Sequence, residues 1–270
     1  MKKIILCADD YGQNTSVSQA ILHLLENKRL SATSCLTTYP DWYTQAGALR
    51  SFKSQASLGL HFNLTEGKPL STRLQRSHGF MPLSQLLLRS SFRQLDQSAI
   101  EEEVNAQLDA FREAMGCWPD FIDGHQHIHQ FPVIRDALIA AYEKKLRGTT
   151  CYFRSTAESY LNCLTQGEAR FKRLVLQLSG AQSFKKLLIQ RNIPHNTSFS
   201  GVYDFKKAAR YAEFFPTFLA NVNNDGLILC HPGLSSETKD PLQHSRIHEF
   251  NYLASDQFIL DCERAGVLLV

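Results

Sequence analysis

Three of the chain's ten histidines fall within five residues, in Phe121-Ile122-Asp123-Gly124-His125-Gln126-His127-Ile128-His129. Neutral imidazole offers a lone pair near physiological pH, which makes histidine the commonest side-chain metal ligand. If the segment ends a strand, alternation sends His125, His127 and His129 to one side. A surface cluster, or a set of hydrogen-bonded histidines, fits this segment equally well. The balance shifts with the polar residues that end the other apolar runs: Asp9 and Asp10, His61, Asp123 and His125, Arg154, and His231. One carboxylate and two imidazoles make a three-ligand site with positions left open for water and substrate. Two histidines and one carboxylate favour zinc among divalent ions. A second carboxylate can take a proton from water, and a further histidine can protonate a leaving group. That inventory suits a metal hydrolase.

Each residue also has a plainer role. Asp9-Asp10 can cap a following helix, His61 can be a satisfied core histidine, and His231 before Pro232-Gly233 can be a turn residue. Arg154 can bridge a carboxylate, which still orients a site. His23, His78, His195, His244 and His248 lack a comparable context and read as structural.

The elements that must position these residues follow from the apolar pattern. Continuous apolar runs of strand length read as strands buried on both faces. They are Lys3–Ala8, Ala32–Leu36, Ser57–Leu64, Phe121–Gly124, Thr150–Arg154, Gly226–Cys230 and Val267–Val270, with a shorter one at Gly201–Tyr203. Helical periodicity covers Val17–Leu25, Trp42–Leu49, Ile100–Met115, Val133–Leu146, Phe205–Leu219 and Ile247–Ala265, and residues 157–195 look mostly helical. Residues 68–98 show little periodicity beyond Leu83–Leu88, and a connection that long is usually a lid or binding loop. Alternating strands and helices predict a parallel sheet with right-handed crossovers. About seven such units over 270 residues suit an α/β fold in one domain, residues 1–270: a barrel of the (β/α) type with seven or eight strands. The strand C-termini of such folds converge on one crevice, so residues as far apart in sequence as Asp10 and His231 can meet in space.

Composition narrows the partners. Net charge is +3 with no basic block, which gives no argument for nucleic acid or an anionic membrane. The run after Met1-Lys2-Lys3 is too short for a signal peptide, and no apolar run approaches a membrane span. Seven cysteines without a C-x-x-C pair read as a reduced, cytoplasmic protein. A homodimer stays open.

Taken together, Ala8-Asp9-Asp10-Tyr11-Gly12, Gly59-Leu60-His61-Phe62-Asn63-Leu64-Thr65, Asp123-Gly124-His125-Gln126-His127-Ile128-His129 and His231-Pro232-Gly233 resemble the YdjC-like carbohydrate deacetylases, in the family's order and over nearly the whole chain. The resemblance implies a distorted, incomplete (β/α) barrel with mostly parallel strands, and one divalent metal ion, zinc or magnesium, held by Asp10, His61 and His125. It implies Asp9 as general base and His231 as acid, with His127 lining the site. Tyr11, Asn63 and Arg154 would position sugar hydroxyls or orient carboxylates. The implied reaction is hydrolysis of an acetamido sugar, such as a short chitooligosaccharide, to amine and acetate. The regions near 68–98 and 155–200 carry no transferable motif and read as variable insertions. Two alternatives remain: a metal-dependent phosphoesterase, and a non-enzymatic sugar-binding protein on a degenerate barrel.

Overall fold

Among the described residues the apolar runs become eight strands of one parallel sheet: β1 Lys2–Tyr11, β2 Ala32–Cys35, β3 Ser57–Phe62, β4 Phe121–Gly124, β5 Tyr152–Phe153, β6 Phe199–Ser200, β7 Gly226–Cys230 and β8 Val267–Leu269. The computed structural model describes residues 1–77, 79–160, 163, 169–236 and 239–270; His78 and part of the span 157–195 lie outside them. The order is β5-β4-β3-β2-β1-β7-β6, with β8 paired to the opening residues of β1. Every pairing is parallel. On the other side β5 reaches toward β6 through the bridge Phe153–His195 and through the Asn196 amide, which bonds the Ser155 backbone and the Ser198 carbonyl. The result is a curled, incomplete (β/α) barrel, as the alternating pattern predicts.

Differences from expectation are local. The predicted strand Gly201–Tyr203 forms two residues earlier, at Phe199–Ser200. Gly201 itself has φ +105, and a Cβ there would sit 2.4 Å from the Leu229 carbonyl oxygen. Only glycine takes that conformation that close to a neighbouring strand. The predicted helix Ile247–Ala265 is two helices, Gln243–Leu253 and Asp256–Arg264. Residues 68–98 hold two short helices, Thr72–Arg76 and Leu83–Ser91.

Register carries the site. Gly59 of β3 lies against β4 so closely that a Cβ would meet the Phe121 ring at 2.4 Å. That approach pairs His61 with Asp123 across the ladder. In β1 the pairing with β2 shifts between Ala8 and Tyr11, and Asp10 has φ +71. Aspartate tolerates this left-handed region better than most side chains. A regular strand would send Asp9 and Asp10 to opposite faces; the bulge turns both toward the strand ends.

Candidate active site

At the C-terminal strand ends a cavity of about 540 Å³ opens, floored by Asp9, Asp10, His61, His125, His127 and His231. Its outer walls include Leu83 and Leu87 from one predicted insertion and Phe171, Val175 and Leu176 from the other. The long aperiodic stretches thus become parts of the cleft.

Asp10, His61 and His125 gather as predicted. Candidate ligand atoms of all three lie within 4.8 Å of one another. Asp10 Oδ1 is 3.3 Å from His61 Nε2 and 3.0 Å from His125 Nδ1. The other nitrogen of His61 lies 2.6 Å from Asp123 Oδ1. A carboxylate behind an imidazole fixes its tautomer and turns the free nitrogen toward a cation. Three buried donors, from two strands and the turn that follows a third, therefore fit a divalent ion. Burial opposes charge on His61, but the Asp123 and Asp9 carboxylates outweigh it and push the imidazole up to about 10. His125 behaves the same way, pushed up to about 9 against burial by Asp10. Burial would raise Asp10, yet Arg246 and His125 hold it well below the usual carboxylate range. Such a pocket is built for positive charge.

A second cluster, Cys7, Asp9 and Asp123, also converges within 4.8 Å. Its cation is already supplied by the chain. Arg154 is fully buried and places its guanidinium 2.6 Å from Asp9 Oδ1, 2.6 Å from Asp123 Oδ2 and 3.1 Å from Cys7 Sγ. Burial alone would raise Asp9, but the guanidinium overrides it and keeps the carboxyl well below its ordinary range. Burial pushes the Cys7 thiol up, so it stays protonated. His231 Nε2 lies 3.9 Å from Asp9 Oδ2, and burial lowers His231 to about 4.

The remaining candidates named from the sequence have different surroundings. Arg154 binds carboxylates rather than facing the cavity. Tyr11 is buried and its hydroxyl donates to the Gln45 carbonyl at 2.7 Å. Asn63 is buried; its amide accepts from the backbone N–H of Thr65 and Glu66 and donates to the Glu66 carbonyl at 2.6 Å. His127 reaches the cavity, but not by strand alternation. β4 ends at Gly124, and Gln126 and His127 take φ of +53 and +60. His129 turns inward, with Nε2 3.0 Å from the Arg154 carbonyl.

Three further residues of the site are not predicted from the sequence. Glu66 lies beside His125, with Oε1 3.3 Å from Nε2. Arg246 donates to Asp10 Oδ2 at 2.7 Å and to Asp240 at 2.7 Å. Glu249 accepts from the Tyr203 hydroxyl at 2.6 Å and from the His231 backbone N–H. Glu66 directly follows the motif that ends at Thr65, which is the available signal. Arg246 and Glu249 sit inside a helix with no motif at all.

Known proteins resemble this chain in sequence and fold. A carbohydrate deacetylase of Danio rerio is 31% identical over 143 residues, covering 50% of this chain and 44% of its own length. A chitooligosaccharide deacetylase of Proteus mirabilis is 31% identical over 131 residues, covering 48% and 51%. The aligned stretches thus span about half the length of these curated relatives. Among solved structures, one from Enterococcus faecalis V583, provisionally described as a cellobiose-phosphate cleavage protein, superposes with TM-score 0.72 at 20% identity over 100% of this chain and 97% of that one. A peptidoglycan N-acetylglucosamine deacetylase superposes with TM-score 0.51 at 11% identity over 99% and 85%, a likeness of fold. The family model for YdjC-like proteins matches residues 3–264, so the chain belongs to the YdjC-like protein family.

Proposed function

We propose that this chain is a metal-dependent hydrolase that removes the acetyl group from an N-acetylglucosamine-containing sugar or short chitooligosaccharide, releasing acetate. The observation that carries the reading is the Asp10–His61–His125 cluster opening on the same cavity as Asp9 and His231. The deacetylase names of the relatives point the same way. Asp10, His61 and His125 would hold the ion, zinc or magnesium, which polarises a carbonyl and acidifies water when bound. Asp9, kept anionic and oriented by Arg154, takes a proton from the attacking water. His231, 3.9 Å away, receives that proton and hands it to the departing amine nitrogen as the C–N bond breaks. An imidazole lowered to about 4 gives up a proton readily. His127 lines the wall beside this path.

The phosphoesterase alternative loses support from Arg154. Two-metal phosphoryl chemistry needs a second cation site, and the second carboxylate cluster is closed by a guanidinium. The whole chain acts as one domain in this reading. Seven free thiols favour a reducing compartment such as the cytoplasm. Among the described residues no helix is long and apolar enough to cross a membrane.

The test is acetate release from N,N′-diacetylchitobiose by purified protein, with and without chelator. Release that stops with chelator and returns with zinc or magnesium is expected. No release from a metal-loaded protein, on this or other acetamido sugars, would overturn the reading.

A further inference from the structure

Each imidazole of the proposed metal set has two faces. His61 points Nε2 at Asp10 Oδ1 (3.3 Å) and Nδ1 at Asp123 Oδ1 (2.6 Å). His125 points Nδ1 at Asp10 Oδ1 (3.0 Å) and Nε2 at Glu66 Oε1 (3.3 Å). The same pattern thus appears twice with the nitrogens exchanged. A neutral imidazole can offer a lone pair only from the nitrogen without the proton, so a carboxylate behind the other nitrogen selects the useful tautomer. Asp123 does this for His61 from inside the sheet.

We infer that Glu66 is the positioning residue for His125, holding its Nε2 proton so that Nδ1 faces the cation. The inference rests on the reading of Asp10, His61 and His125 as the metal ligands. The loop that carries Glu66 is built for a fixed placement. Gln107, fully buried on the helix Gln97–Met115, accepts from the Asn63 N–H at 3.0 Å and donates to the Asn63 carbonyl at 2.7 Å. The Asn63 side chain then closes a turn over the N–H groups of Thr65 and Glu66. The Glu66 carboxylate itself accepts from the Tyr39 hydroxyl at 3.0 Å and from Gln126 Nε2 at 3.3 Å. The Glu66–His125 contact is close but poorly aligned for a hydrogen bond, and His125 Nε2 is otherwise buried without a partner. Among the described residues no other acceptor stands there for that proton. Asn63 therefore acts through Glu66 rather than on a sugar hydroxyl.

Zinc affinity of the chelator-stripped full chain, measured by competition with a chromophoric chelator in the absence of sugar, tests this. Glu66→Ala is expected to weaken zinc binding by roughly 10–100-fold, the effect of losing a carboxylate behind a metal-bound histidine. Glu66→Gln keeps an acceptor oxygen and is expected to retain most of the affinity. Asn63→Ala is expected to follow Glu66→Ala in the same direction. Wild-type affinity in Glu66→Ala would overturn the inference. His125→Ala separates the two readings: if it too binds zinc as wild type does, the ligand set itself is wrong. If it loses zinc while Glu66→Ala does not, only the role of Glu66 falls.

Discussion

The chemistry proposed for this site rests on a few buried charges, and Arg154 is the clearest of them. It is fully buried and bonded to two carboxylates that are themselves out of water. Removing one partner of a buried ion pair typically costs about 3–5 kcal/mol, because the remaining charge stays unpaired. Arg154→Met should therefore lower unfolding stability in urea by about 3–5 kcal/mol, and should abolish activity by freeing Asp9. Glu249 gives a pH signature. Burial raises it to about 7, although the Tyr203 hydroxyl, the His231 N–H and Arg246 favour its charged form. A carboxyl raised in the folded state binds its proton there at pH values where the unfolded chain has lost it. Its contribution is full below the unfolded value of about 4.5 and is lost as pH climbs through about 7. The loss amounts to roughly 3 kcal/mol at about 1.36 kcal/mol per pH unit. Glu249→Gln should flatten the stability profile between those pH values, which equilibrium denaturation across the range will show.

At the scale of elements, the strands were legible because parallel strands buried on both faces must be apolar runs, and Ile4–Ala8 or Leu227–Cys230 can be little else. That the candidate residues at their ends would gather was legible for the same reason, since the fold sends strand ends to one crevice. Legibility stopped where local backbone departs from the period of the element. The Asp10 bulge and the left-handed Gln126 and His127 have no periodic signature, so the facing of Asp9 with Asp10 and of His127 could not be read. Nor could Arg246: a lone polar residue on the buried stripe of a helix looks like any exposed one until its partner Asp10 is in place. Gly59 belongs at this scale too. Gly59→Ala forces a methyl into the Phe121 ring, and overpacking of this kind costs about 1–3 kcal/mol. If the close approach of β3 to β4 is the cause, adding Phe121→Leu should recover part of the loss. A double-mutant cycle will give a coupling between the two positions, whereas additivity would place the strain elsewhere.

At the scale of the molecule, the proposed ligands tie together segments that the sequence separates widely. Asp10 is the penultimate residue of β1, His61 the penultimate residue of β3 and His125 follows β4, while Arg246 from the helix Gln243–Leu253 grips the same Asp10. An unfolded chain cannot assemble these three donors, so an ion that binds the set binds the native state alone. Such linkage stabilises by RT ln(1 + [L]/Kd), about 2.7 kcal/mol when free ion stands at about 100 times Kd. Metal should therefore raise the thermal midpoint, chelator should return it, and the increment should grow with ion concentration. His125→Ala should abolish the increment and not merely lower the baseline. The direction with pH follows from the same residues. Protons and the cation compete for His61 and His125, whose imidazoles are held up to about 10 and about 9 by the carboxylates around them. The metal-dependent increment should therefore grow as pH rises from about 6 toward about 9, while the chelated protein loses stability over the upper part of that range. Differential scanning calorimetry at several pH values, with and without zinc, will separate the two trends. Parallel trends in the loaded and chelated protein would mean that these imidazoles do not hold the ion.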